Sequence, residues 1–213
     1  VLYWFVPPPS HGDQDQRLAQ ALAAIEPGAL PSRIVLVSTT GVYGDCQGEW
    51  VNETRPLNPQ TARGRRRAHA EQLARRFGQQ QGIPVVALRV PGIYGPGKLP
   101  LARLRSSAPV LAPEFSPWSN RIHVNDLVTV CLAAARKVDP APAYNVSDGH
   151  PTTMTDFFFQ VADAYGLSRP PAISWAAAER QLSAEMRSYL ADSKRIDNTL
   201  MKEDLGVVPD GAN

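Results

Sequence analysis

The chain predicts an α/β fold, a doubly wound parallel sheet with crossover helices. Three observations predict it. Apolar runs of strand composition lie at residues 1–6, 33–38 and 84–90. Each is nearly continuous, as in strands covered on both faces. Segments of helical periodicity separate them, at residues 13–25 and 60–80. Strand, helix, strand, helix, strand is the order a parallel sheet needs, because each return to the same sheet end requires a crossover.

Each element has a local cause. In the first helix Leu18, Leu22 and Ile25 share a face, and Gly28 lies beyond its end as a stop. The second helix carries Leu73 and Phe77 on one side, and Gly82 and Pro84 break it. The second half is less regular. A short helix is read at residues 99–106, a short strand at 121–124, and a helix at 125–137 that Asn125 caps. A strand follows at 143–147, then a helix at 153–165 with Gly166 as its stop. The last elements are a strand at 173–175 and two polar helices to about residue 205. There is no internal repeat.

The 213 residues suit one domain, or one with a small appendage, and 43% hydrophobic with 20% charged residues is an ordinary globular balance. A net charge of +2 is too small to argue for a nucleic-acid partner. Cys131 lies in an apolar helical run and reads as buried and inert; Cys46 lies in a loop beside Asp45. Neither shows a CxxC or Cys/His spacing, so no metal site is expected, and a reducing cytoplasm fits. No run approaches the roughly 18 apolar residues that span a membrane. Residues 1–6 are too short, have no charged segment before them, and run into Pro7-Pro8-Pro9, so they are not read as a signal peptide. With no initiator Met and a start inside a strand, the chain reads as N-terminally truncated.

Ligands of such sheets lie at the carboxyl ends of the strands. Three loops are therefore expected to line one crevice: residues 7–12, 39–58 and 91–100. These loops and the elements after them carry recognisable motifs. Ser38-Thr39-Thr40-Gly41-Val42-Tyr43-Gly44, Asn52-Glu53-Thr54-Arg55-Pro56-Leu57-Asn58-Pro59 and Leu88-Arg89-Val90-Pro91-Gly92-Ile93-Tyr94-Gly95-Pro96-Gly97 follow one another in order. Ile122-His123-Val124-Asn125-Asp126-Leu127 and Tyr144-Asn145-Val146-Ser147-Asp148-Gly149 complete the set. Together they resemble the extended short-chain dehydrogenase/reductases, the NAD-dependent epimerase/dehydratase family. Pro7-Pro8-Pro9 and residues 119–124 are similar to an atypical branch that includes the bacterial YeeZ-like proteins. The resemblance covers residues 1–205.

The resemblance implies a Rossmann fold, N-terminally truncated, with a small C-terminal α/β substrate lobe. Residues 1–100 would be the later portion of the dinucleotide-binding domain. Residues 101–213 would mix lobe segments with returning Rossmann elements in one structural unit. It also implies NAD or NADP, a small-molecule substrate, no membrane, and a homodimer. The glycine fingerprint G-x-G-x-x-G occurs nowhere in the chain. In the family order residues 1–6 would be the fourth strand, after two βαβ units of roughly 30 residues each. Cofactor binding by this chain is therefore expected to be impaired.

Family enzymes use a tyrosine for proton transfer, a lysine four residues later, and a serine or threonine that orients the substrate oxygen. The serine/threonine place is taken by Thr39, with a turn hydroxyl bonded to nearby backbone as the alternative. The tyrosine and lysine places are taken by Arg63 and Arg67. Spacing is kept, so both point along one side of the helix. Chemistry is not, because arginine stays protonated. Arg67 can serve cofactor binding or an oxyanion; the plain alternative for Arg63-Gly64-Arg65-Arg66-Arg67 is a solvated basic face. Tyr43 and Tyr94 lie on crevice loops, in places usually structural in the family. Tyr94 is kept as a catalytic candidate with Thr39, Arg63 and Arg67. Cofactor contacts are assigned to Pro7, Pro8, Thr39, Arg67, Pro91, Gly92 and Ile93. The diphosphate-binding arginine is absent from its usual place, with Arg121 one register away. His123 reads as a hydrogen-bonded structural histidine, Asp126 as a helix-start residue, and Trp118 as packed in the lobe. Three functions follow: an epimerase/dehydratase-like oxidoreductase lacking the Tyr-Lys pair, a non-catalytic NAD(P)-binding sensor or scaffold, and, weakest, a basic interaction module.

Overall fold

The computed structural model describes residues 1–210. Its centre is a four-stranded parallel sheet of β1 (Leu2–Trp4), β2 (Ile34–Thr39), β3 (Val85–Val90) and β4 (Ala143–Asn145), in that spatial order. Leu2 pairs with Ile34, Ile34 with Val85, and Ala87 with Ala143.

Alternation along the strands sorts side chains into two layers. Ile34 and Leu36 face α1 (Gln16–Ala23) and α2 (Ala62–Gln81), packing with Leu18, Leu22, Ala70 and Ala74. Val35, Val86 and Leu88 face the other way, onto Val130 of a later helix and onto Met201. Fully buried Leu18, Ile34, Leu36 and Leu88 each contribute about 1.5–3 kcal/mol. The result is a three-layer αβα body.

α2 reaches the sheet because its inner face is small. Thr61 caps its start, accepting from the Gly64 N–H at 3.1 Å, and Gly82 ends it at φ 67°. Gly64, Ala68, Ala74 and Gly78 are buried along it. A Cβ on Gly64 would stand 2.8 Å from the Gly41 carbonyl oxygen. The first turn of α2 is thus pressed directly against the Thr39–Gly44 turn.

The rest forms a lobe with a return to the body. α3 (Leu101–Arg105) and α5 (Met154–Ala164) pack through Leu104, Phe158 and Val161. α6 (Trp175–Gln181) and α7 (Ala184–Leu190) pack on Leu111 through Ala178, Leu182 and Leu190. Between these lobe segments the chain passes through α4 (Val124–Arg136), and at its end through α8 (Thr199–Leu205). The two lie together on the far face of the sheet.

Several expectations are corrected. The first strand is three residues long and lies at the sheet edge, with Tyr3, Phe5 and Val6 exposed rather than covered on both faces. Asn125 does not cap α4. The helix starts one residue earlier, and the His123 ring nitrogen Nδ1 accepts from the Asn125 N–H at 3.3 Å. Asp126 stands in that helix's first turn, where an acid suits the dipole. The strand expected at 173–175 is Ala172–Ile173, and Trp175 already belongs to α6. Both cysteines are free and buried.

Gly64→Ala is expected to lower unfolding free energy by about 1–3 kcal/mol in urea denaturation, since α2 must lift from the turn beneath it. Unchanged stability would show that the helix has slack there.

Candidate functional site

Three loops meet the carboxyl ends of the strands. The first follows β1 and is fastened to α2: Arg67 Nη1 donates to the Val6 carbonyl at 3.3 Å and Arg66 Nη1 to that of Gly12 at 2.6 Å. The second begins at Thr39, whose Oγ1 accepts from the Gly41 N–H at 3.2 Å. That turn bond leaves the Thr39 O–H as a donor, so the backbone-bonding and ligand-bonding readings coexist. The third leaves β3 at Pro91 and forms the short strand Gly92–Tyr94, parallel to Arg121–His123. Gly92, Ile93 and Pro7 are exposed, while Pro8, Thr39, Pro91 and Tyr94 are half-buried. The structure therefore sets the predicted cofactor residues around the carboxyl ends of adjacent strands.

The crevice floor is a buried polar network that sequence reasoning missed. Arg89, 4% exposed, points from β3 to Glu71 of α2, 2% exposed, and donates to it through Nη2 at 2.9 Å and through Nε. Ser38 Oγ donates to the same carboxylate at 2.5 Å. Arg89 Nη1 donates to the Tyr43 hydroxyl at 2.8 Å, and Tyr43 donates to Asn145 Oδ1 at 2.7 Å. Asn145 Nδ2 closes onto the carbonyls of Val51 and Asp197, and Glu53 Oε1 accepts the Asn145 N–H at 2.7 Å. Tyr43, Glu53, Arg89 and Asn145 come from four separate motifs. A charge inside the apolar run of β3 was the available signal, since buried ions require partners.

This settles Tyr43. Burial pushes its hydroxyl up to about 12, partly offset by Arg89. Both its hydrogen-bonding functions are engaged. It stays protonated near neutrality and serves as a link in the buried network.

The arginines divide sharply. Arg65 is exposed and pairs with Asp13 at 3.0 Å, as a solvated face predicts. Arg66 is buried. Arg63 reaches across to the lobe: Nη1 donates to Ser188 Oγ at 2.6 Å, Nη2 to the Ser188 carbonyl at 3.3 Å, and its guanidinium lies 3.7 Å over the Tyr189 ring. Nothing in the sequence pattern foretold that α7 contact. Arg67 is half-buried, and burial holds it below the usual arginine range.

Tyr94 packs edge-on against His123 at 5.3 Å. Arg121 is not a free diphosphate ligand: it is buried, donates to Ser119 Oγ at 2.9 Å and to Thr152 Oγ1, and lies over Phe157. Burial brings its pKa down to about 10. Trp118 is 37% exposed rather than packed away, with Arg195 beside it and Trp50 on the other side of that arginine. Among the described residues no cluster of three or more His, Cys, Asp or Glu is placed to hold a metal, and no helix is long and apolar enough to cross a membrane.

Comparison with known proteins bears on the family and the fold. Residues 13–147 match the family described as "NAD dependent epimerase/dehydratase family". Protein YeeZ of Escherichia coli is 32% identical over 163 residues, 75% of this chain and 57% of YeeZ. The chain thus spans little more than half the length of that relative. A functionally unknown conserved protein from Silicibacter pomeroyi superimposes with a TM-score of 0.81 at 35% identity, over 97% of this chain and 71% of its own. UDP-glucuronic acid 4-epimerase from Bacillus cereus, in complex with NAD, shares the fold with a TM-score of 0.77 at 16% identity, over 99% and 69%.

Tyr43→Phe strands Asn145 Oδ1 and one Arg89 N–H, and is expected to cost about 1–3 kcal/mol in urea denaturation. Arg89→Ala leaves the Glu71 charge buried and is expected to cost more, about 3–5 kcal/mol. The reverse order would mean that the ion pair is not the anchor of the network.

Proposed function

The chain belongs to the NAD dependent epimerase/dehydratase family, and from that premise we propose that it forms the nicotinamide- and substrate-facing part of an NAD(P)-dependent oxidoreductase acting on a small molecule. One observation carries the reading. The Thr39 hydroxyl, at the last residue of β2, and the exposed Gly92–Ile93 backbone, just after β3, stand at the carboxyl ends of neighbouring strands.

The residues present fit the nicotinamide side of the cofactor. Pro7, Pro8, Pro91, Gly92 and Ile93 would pack against it, and Arg67 would reach a ribose hydroxyl. NAD(P), when bound, accepts or supplies the hydride. Thr39 orients the substrate oxygen through its O–H. Arg63 and Arg67 stay charged and stabilise negative charge there rather than exchanging protons. Proton transfer then falls to Tyr94, with His123 against its ring. The adenosine side has no counterpart in these 213 residues, which lack a glycine fingerprint.

UDP-sugars, bound by some fold neighbours, fit less well, because the diphosphate-binding arginine is absent from its usual place and Arg121, one register away, is buried. A second reading, a non-catalytic NAD(P)-binding sensor or scaffold, is favoured by the Arg63 contact with Ser188 and Tyr189. The free, buried cysteines suit a reducing cytoplasm. A homodimer is the assembly the family implies.

Calorimetric titration of NAD and NADPH into this chain is expected to give a Kd weaker than about 10 μM. A tighter value would show that the glycine loop is dispensable. With cofactor held near 1 mM, a panel of carbonyl substrates is expected to show turnover, reduced about 100-fold or more by Thr39→Val. Cofactor binding without any turnover would replace the enzyme by the sensor.

A further inference from the structure

The first two turns of α2 hold Arg63, Arg66 and Arg67 and no acidic residue. A helix N-terminus is already positive, so cations there are disfavoured and an anion is favoured. Among the described residues Arg63, Arg66 and Arg67 have no carboxylate within ion-pair distance, whereas Arg65 on the outer face has Asp13. Their hydrogen-bond partners are neutral: Ser188, the Gly12 carbonyl and the Val6 carbonyl. Asp15 acts on Arg67 electrostatically, but one of its oxygens caps α1 through the Leu18 N–H.

The donors are also underused. A guanidinium has five N–H groups. Arg63 uses two of them and Arg67 one. Arg66 is 8% exposed, yet its Nε has no partner. These side chains stand where α2 is pressed on the Thr39–Gly44 turn and tied to the end of β1, at the mouth of the crevice. Arg63 and Arg67 are one turn apart, with about 5–6 Å between their Cβ atoms. Burial of Arg67 outweighs the nearby Asp15 charge and disfavours its cation.

We propose that the crevice binds an oxyanion, a carboxylate or phosphate group of the ligand, between Arg63 and Arg67. This rests on the crevice being the ligand site, and is independent of hydride chemistry. It makes the ligand an acidic small molecule. Two planar forks provide the directed donors that carboxylates and phosphates accept. The Ser188 and Tyr189 contacts fix the Arg63 guanidinium from the lobe side, so the anion is gripped where body and lobe meet.

The test needs neither cofactor nor turnover, so it can fail while the oxidoreductase reading stands, and the converse holds. Malonate and inorganic phosphate are titrated calorimetrically into this chain, with sodium chloride at matched ionic strength as reference. At least one oxyanion is expected to bind above the chloride background. Binding by malonate alone assigns a carboxylate, and by phosphate alone a phosphate; both outcomes support the site. Arg63→Gln with Arg67→Gln is expected to weaken binding about 10- to 100-fold, the loss of charge-assisted hydrogen bonds. Arg65→Gln should stay within about twofold, because Arg65 faces solvent. Should the double variant fail to fold, Arg63→Lys keeps charge but not the fork, and is expected to weaken binding about fivefold or more. Binding no stronger than chloride, or a double variant or Arg63→Lys that binds like the parent, would overturn the site.

Discussion

The Arg89–Glu71 ion pair is the constraint on which the site geometry depends. It joins β3 to α2 in the dry interior, where two unpaired charges would each cost several kcal/mol. The cost is offset only because further donors and acceptors complete the shell: Ser38 on the carboxylate, Tyr43 on the guanidinium, Asn145 beyond it. Each of these comes from a different strand end or turn. Satisfying one buried pair therefore fixes the mutual positions of β2, β3, β4 and the Thr39–Gly44 turn. The crevice above inherits that precision. Tyr43, on a crevice loop, is part of the scaffold for this reason.

Much of the fold was legible because long elements announce themselves locally. The apolar continuity of β2 and β3 and the Gly82 stop of α2 needed no partner to be recognised. What stayed hidden depends on partners distant in sequence. Trp50–Val51 is a strand only because Arg195–Ile196 lies beside it, and neither dipeptide has a periodicity to read. His123 displaced Asn125 as the cap because the strand Arg121–His123 runs into α4 without a linker. The candidate site was legible as three loops. The charge network beneath it was marked in the sequence only by Arg89 and Asn145 standing inside apolar strands.

The lobe meets the body through short polar links beside a small apolar cluster in which Ile196 packs with Val42, Val51 and Ala68. The chain after α7 donates and accepts through Ser193 with Asp45, Cys46, Gly48 and Trp118, and Asn120 accepts the Ile196 N–H at 2.8 Å. α7 itself contributes Ser188 and Tyr189 to Arg63. Links of this kind reorganise more readily than packed apolar surface. They also converge on the loop that begins at Thr39, so movement of the lobe and the setting of the crevice are mechanically related.

Arg63 and Arg67 occupy a helical register that the family resemblance assigns to a tyrosine and a lysine. The register alone fixes direction, since residues four apart look the same way. It does not fix chemistry. A tyrosine hydroxyl can lose and regain a proton within a reaction cycle, but a guanidinium cannot at any ordinary pH. What a guanidinium gains is permanent charge and several directed donors. On the proposed reading, Thr39 at its strand end would orient an oxygen beside the exposed Gly92–Ile93 backbone, while the arginines would change how charge is handled. Any reaction here must take its proton from elsewhere, and any ligand here meets fixed positive charge at the position where the resemblance places a neutral phenol.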